Sequence, residues 1–251
     1  MSTATASRTV ATGRRTSPLT HALRRQLGVA AYLAGWYWAI ALVVLLVATL
    51  IVWRVNGAVD VSVVAYARQS AIWFPFSQAI LLVAALLRPH LAAGMTRRTF
   101  VRASLVTAVS TGLGYTLVLS ALLLVERALH TAVGWDAEIL EQGFELTGRD
   151  FPAMVAELGP ALVLANLCGL LVGVVYHRFG GWWGTVTLPL TVLPIVATLA
   201  LAGEWFGSLP ALDGVLSGPA DAPLLTGAVL VVVTAGAYAA LTRSTPVRTP
   251  R

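Results

Sequence analysis

The sequence contains no lysine. That absence excludes a Walker A loop, whose lysine grips the nucleotide phosphates, and any Schiff base through a lysine amine. Cysteine occurs once, at Cys168, so an intrachain disulfide and a cysteine-rich metal site are both excluded. Charge is scarce as well. Only 11% of the residues are charged, against about a quarter in an ordinary soluble domain. Neither a His-Glu-x-x-His zinc motif nor a Gly-x-Ser-x-Gly elbow occurs. The four histidines, His21, His90, His130 and His177, are scattered over predicted loops. The apolar stretches hold no serine–histidine pair, aspartate pair or zinc motif of an intramembrane protease. The chain therefore reads as a non-enzyme, with no catalytic residue, metal or cofactor expected.

Apolar residues are plentiful, at 57% of the chain. They gather in blocks of about 20, the length a helix needs to cross about 30 Å of hydrocarbon. The expected fold is all-α: a polytopic membrane protein with six spans at about 29–53, 71–87, 103–125, 153–176, 182–202 and 222–241, together forming a domain over 28–242. Tyr32, Trp36, Tyr37 and Trp38 at one end of the first span, and Trp53 at the other, match interfacial aromatic belts. Pro189 and Pro194 are expected to kink the fifth helix.

Residues 1–16 have the composition of a disordered cationic tail, and 243–251 form a second polar tail. Ser17-Pro18 reads as a helix start. Leu19, Leu23 and Leu27 recur every four residues, which predicts an amphipathic interfacial helix over 17–27. The alternative is a plain extension of the first span.

Arginine sets the orientation. Arg8, Arg14, Arg15, Arg24 and Arg25 precede the first span, and Arg88, Arg97, Arg98 and Arg102 flank the loop after the second. Arg178 follows the fourth, and Arg243, Arg248 and Arg251 follow the sixth. Only Arg54, Arg68, Arg127 and Arg149 fall on the other side. The positive-inside rule then places both termini in the cytoplasm. The acids fall on the outer side, with Glu157 just inside the outer end of the fourth span. The basic excess is thus explained by topology, and no nucleic-acid partner is expected.

The loop after the second span reads Arg88-Pro89-His90-Leu91-Ala92-Ala93-Gly94-Met95-Thr96-Arg97-Arg98-Thr99-Phe100. Pro89 ends a helix, Gly94 permits a turn, and Thr96 caps the helix that follows. The string Gly94-Met95-Thr96-Arg97-Arg98-Thr99-Phe100 resembles the G-x-[ST]-R-[RK]-x-[FY] element of six-helix bacterial ABC exporter permeases of the second type. The order of parts is similar too: a cationic N-terminal helix, six spans, a short basic loop after the second and a longer outer segment after the fifth. The resemblance implies a permease subunit in a bacterial cytoplasmic membrane. Its partners would be a separate ABC ATPase subunit, a second permease subunit (a homodimer or heterodimer) and membrane lipid. It also implies that Gly94, Met95, Thr96, Arg97, Arg98 and Phe100 form the ATPase-coupling loop. The exported substrate would be hydrophobic or amphipathic. A non-transport scaffold, regulator or immunity protein is the alternative, and a secondary transporter the third reading.

Three further features stand out. Gly169 and Gly173 in the fourth span form a small-xxx-small pair, and Asn166 and Glu157 are polar groups in the same span. These four are candidates for the transport pathway or for helix packing, with Asn166 bonding a neighbouring helix and Glu157 reaching outward. Ser110, Gly114 and Cys168 read as packing residues. The segment 126–152 is acidic with a helical apolar face at Ile139, Leu140, Gly143 and Phe144, suiting either a surface cap or a solvated connector. The segment 203–221, with Trp205 and Phe206, suits either two short helices dipping into the outer leaflet or an interfacial loop.

Overall fold

The computed structural model describes residues 17–59, 61–135, 150–201 and 222–244. Among them every regular element is a helix: α1 Pro18–Asn56, α2 Val63–Ala92, α3 Arg97–Val133, α4 Phe151–Val186, α5 Leu188–Leu201 and α6 Ala222–Arg243. Residues 1–16 and 245–251 of the two tails and the segments 136–149 and 202–221, for which surface helices or loops are expected, lie outside the described residues.

α1 starts as its sequence predicts. The Ser17 hydroxyl accepts from the Thr20 amide at 3.2 Å, and Pro18 takes the first helical position. The expected separate helix over 17–27 is corrected. α1 runs unbroken for 39 residues, about 58 Å at 1.5 Å per residue and so nearly twice the hydrocarbon thickness. No proline interrupts it, and Gly28 in a helix interior costs only about 1 kcal/mol relative to alanine. Its first turns are held by a buried face of Ala22, Gln26 and Ala30, while Leu19 is exposed. The small Ala22 and Ala30 let α1 approach the bundle on either side of the buried Gln26.

α2, α3 and α4 also outrun their apolar blocks, whereas α5 covers less than the expected 182–202. α2 begins eight residues before the expected position 71. Its start is fixed by the Ser62 hydroxyl, which accepts from the Ala65 amide at 3.1 Å, and by the Glu126 carboxylate. α3 continues past position 125 to Val133, so the first part of the expected connector 126–152 is helical. Glu126 and His130, one turn apart, are both buried along this stretch. Gly134, at φ 79°, ends α3 and returns its amide to the His130 carbonyl.

α4 is the central post, packed against α2, α3, α5 and α6. Every residue from Ala161 to Val175 is buried. Gly169 and Gly173 lie tight against α2. A methyl group on Gly169 would collide with the Phe76 carbonyl, and one on Gly173 would sit 2.9 Å from the Val83 Cβ. Gly112 of α3 meets the Val163 backbone of α4 in the same way, with 2.7 Å available.

The backbone is interrupted ahead of Pro189 and Pro194, the residues expected to kink the fifth helix. α5 runs through Pro194 as one helix. The backbone breaks at Gly180, with φ 84° and ψ 179°, and is interrupted again between Val186 and Leu188. Glycine adopts that positive φ without a Cβ clash, and Pro189, at the second position of α5, needs no distortion there.

α1, α2, α3, α4 and α6 are long and apolar enough to cross a membrane. α5, with 14 residues, covers about 21 Å. α1 packs on α3 and α2 and leaves Ile40, Val43, Val44, Leu46 and Ile51 more than half exposed. A helix with such a surface needs an apolar solvent. Together these are the features of a multi-pass α-helical membrane protein.

Candidate functional site

The turn between α2 and α3 is built from backbone hydrogen bonds. The Ala93 amide donates to the Pro89 carbonyl at 3.0 Å, Gly94 to Leu91 at 3.0 Å and Met95 to His90 at 3.3 Å. Gly94 has φ 75°, a left-handed conformation that costs an L-residue about 1–2 kcal/mol. Thr96 is extended and caps α3 by accepting from the Thr99 amide at 3.2 Å. The chain thus reverses through four residues, with no separate helix in the loop.

His90 and Phe100 brace the turn from beneath. His90 Nε2 donates to the Thr96 carbonyl at 3.2 Å, and its ring meets Phe100 edge-on at 5.3 Å between centroids. Phe100 is wholly buried in a cluster with Leu87, Val101 and Tyr238. The resemblance implies that Phe100 belongs to the coupling loop; in the structure it is the buried floor of the turn. Gly94, Thr96 and Arg98 are exposed, and Met95 and Arg97 are partly so.

α6 is laced to the same end. Arg97 Nη1 donates to the Arg243 carbonyl at 3.1 Å. Arg178 of α4 donates to the Leu241 carbonyl at 3.4 Å and to the Ser244 hydroxyl. Deeper, the Tyr238 and Ser104 hydroxyls share a 2.6 Å hydrogen bond. Arg25 lies within electrostatic reach of His90, and Arg88 within reach of His177. One end of the bundle therefore collects arginines from α1, α2, α3, α4 and α6.

The described acids lie at the opposite end. Glu126 caps α2, Asp150 precedes α4, and Glu157, only partly exposed, interacts electrostatically with the buried Arg68 of α2. The cationic end is suited to an anionic partner surface. Among the described residues no three His, Cys, Asp or Glu side chains gather as metal ligands.

Asn166 does not bond a neighbouring helix through its amide nitrogen, which donates to the Leu162 carbonyl of its own helix at 3.0 Å. It lies instead beside Gln78, Ser104 and Thr107 around a small internal cavity. Gln78 Nε2 donates to the Ala30 carbonyl at 3.0 Å, joining α2 to α1. Sequence reasoning missed Gln78 and Thr107, because isolated polar residues in apolar helices carry no local mark of what they face.

Comparison with protein-family profiles, with curated proteins and with solved structures returns no match to this chain.

Proposed function

We propose that this chain is the membrane-embedded permease subunit of an ATP-driven ABC exporter. It would sit in a bacterial cytoplasmic membrane with six spans and with both termini on the cytoplasmic side. The observation that carries the reading is the braced turn Ala93–Thr96. A basic loop that served topology alone needs charge and nothing more. This one is fastened to α2 and α3 through His90 and Phe100, and to α6 through Arg97. A push on Gly94 or Arg98 is therefore passed to three helices at once, as mechanical coupling to an ATPase requires. The exposed guanidinium of Arg98 suits a carboxylate-bearing partner.

The six-span count is supported by the break at Gly180. Beyond it, the helical stretch that ends at Val186 and the helix Leu188–Leu201 follow in sequence. Together they hold about 20 residues, close to 30 Å if collinear. The cationic clustering of helix ends supports a cytoplasmic placement of that end.

The test is purification in mild detergent, followed by assay of co-eluting ATPase. Arg97→Glu with Arg98→Glu should abolish stimulated ATP hydrolysis while insertion persists. Arg98→Glu alone, which leaves the Arg97–Arg243 bond in place, should lower it at least severalfold. Full stimulation in both variants, or elution without any ATPase, would refute the exporter reading and leave a scaffold or regulator.

A further inference from the structure

A cleft of about 300 Å³ opens between α1 and α3. Small residues make it: Ala31, Ala34 and Gly35 on α1 face Ser110 and Gly114 on α3. A methyl group added at Gly35 or Gly114 would meet nothing within 4 Å, so the space is real and unfilled by neighbouring side chains. Trp38 packs on Tyr115 at 5.3 Å between ring centroids, and both line the cleft. From Leu27 to Trp38 the cleft follows α1 for about 16 Å. A volume of 300 Å³ along that length is roughly one extended alkyl chain wide.

Ala30 and Thr111 line this cleft and also a second cavity of about 10 Å³, walled by Gln78, Thr107 and Asn166. That is room for about one water or one hydroxyl. Gln78 is 5% exposed and Thr107 2%. The Gln78 nitrogen is committed to the Ala30 carbonyl, which fixes the side on which its oxygen lies. Gln78 Oε1 and Thr107 Oγ1 both lack a hydrogen-bond partner. Thr107 stands ten residues into α3, about 15 Å along the helix from Arg97. At that depth in a bilayer bulk water does not reach the unmet acceptor. No charged residue lines either cavity, so an ionised headgroup would find no counter-charge.

We propose that the α1–α3 cleft binds an uncharged single-chain amphiphile, with its alkyl chain along Ala34 and Gly114 and its hydroxyl or amide hydrogen-bonded to Gln78 and Thr107. A bilayer phospholipid fits less well. Its headgroup is held at the surface, so its chain would enter the cleft without supplying the missing donor. The proposal does not rest on the ATPase reading, because the recess and the cleft exist whatever docks at the cationic end.

The test uses the full chain in phosphatidylcholine nanodiscs with diazirine-bearing analogues of 1-dodecanol, dodecane and dodecanoate. The alcohol probe should label α1 and α3 saturably, be displaced by unlabelled 1-dodecanol, and exceed the alkane and carboxylate probes about tenfold. Gly114→Leu, or Gly35→Leu if the first variant misfolds, should remove the labelling. Gln78→Leu with Thr107→Val should leave chain labelling but equalise alcohol and alkane. Equal labelling by alcohol and alkane in the unaltered protein would mean a lipid chain only and would overturn the proposal. So would labelling by dodecanoate as strong as by the alcohol. So would absence of labelling together with cross-links between α1 helices of two copies, which would assign the cleft to a second chain.

Discussion

Glu126, near the carboxyl end of α3, caps the amino end of α2. Its Oε1 accepts from the Val63 amide at 2.7 Å and from the Val64 amide at 3.1 Å, and its Oε2 accepts from the Ser62 hydroxyl at 2.7 Å. Two amides that α2 itself leaves unpaired, and the hydroxyl of its cap residue, are thus met by one side chain of another helix. Glu126→Ala should destabilise the protein by about 2 kcal/mol. Glu126→Gln should recover part of that, since it keeps an acceptor oxygen. The readout is built in. Cys168 is the chain's one cysteine and is wholly buried, so a thiol-reactive fluorophore reports unfolding on heating in detergent.

Gly169 and Gly114 make a matched pair for a second prediction. Gly169→Leu would drive a side chain into the Phe76 carbonyl and should cost about 3 kcal/mol, or prevent assembly. Gly114→Leu meets open space and should melt at or slightly above the unaltered temperature, since leucine is the better helix former. Equal melting temperatures would contradict the packing described for α2 and α4.

Tyr238→Phe should cost only about 1 kcal/mol. The Ser104 hydroxyl that loses its partner still reaches the Phe100 carbonyl at 2.9 Å and the Val101 carbonyl at 3.1 Å. The Ser104 hydroxyl is then not left without a bond. A loss of stability well above that, in the same thiol-accessibility melt, would mean that α6 is held to α3 mainly through this hydroxyl.

Gly180→Ala tests the break that ends the long stretch of α4. With φ 84° and ψ 179°, the position lies in a region essentially confined to glycine, and an alanine there should cost about 1–3 kcal/mol. Pro194→Ala, inside a helix that passes through it, should be neutral or mildly stabilising by comparison. The melting temperatures of the two variants, set side by side, decide which residue carries the bend.

The helices themselves were legible because a bilayer imposes one length, and the apolar blocks display it. Their ends were not. α2 and α3 continue into polar stretches because partners such as Glu126 for Ser62 and Val63 sit 60 or more residues away in sequence. Thr96 as a cap and Gly94 as a turn residue were readable, since both obey local rules. Phe100 was not, since the same residue suits an exposed contact or a buried floor until His90 is seen packed against it. Gln78 and Thr107 belong to different helices, and only the approach of α1, α2, α3 and α4 makes them neighbours.

The burial of α4 on nearly all sides has a mechanical consequence. A rod gripped by Phe76 and Val83 at its own glycines, and by Gly112 of α3 at Val163, has no clearance for sliding, because any shift along its axis drives it into a neighbouring helix. Whatever shape change the molecule undergoes must then pivot about α4 as a fixed axle. The loosely held periphery, above all α1 with its single packed edge, supplies the travel.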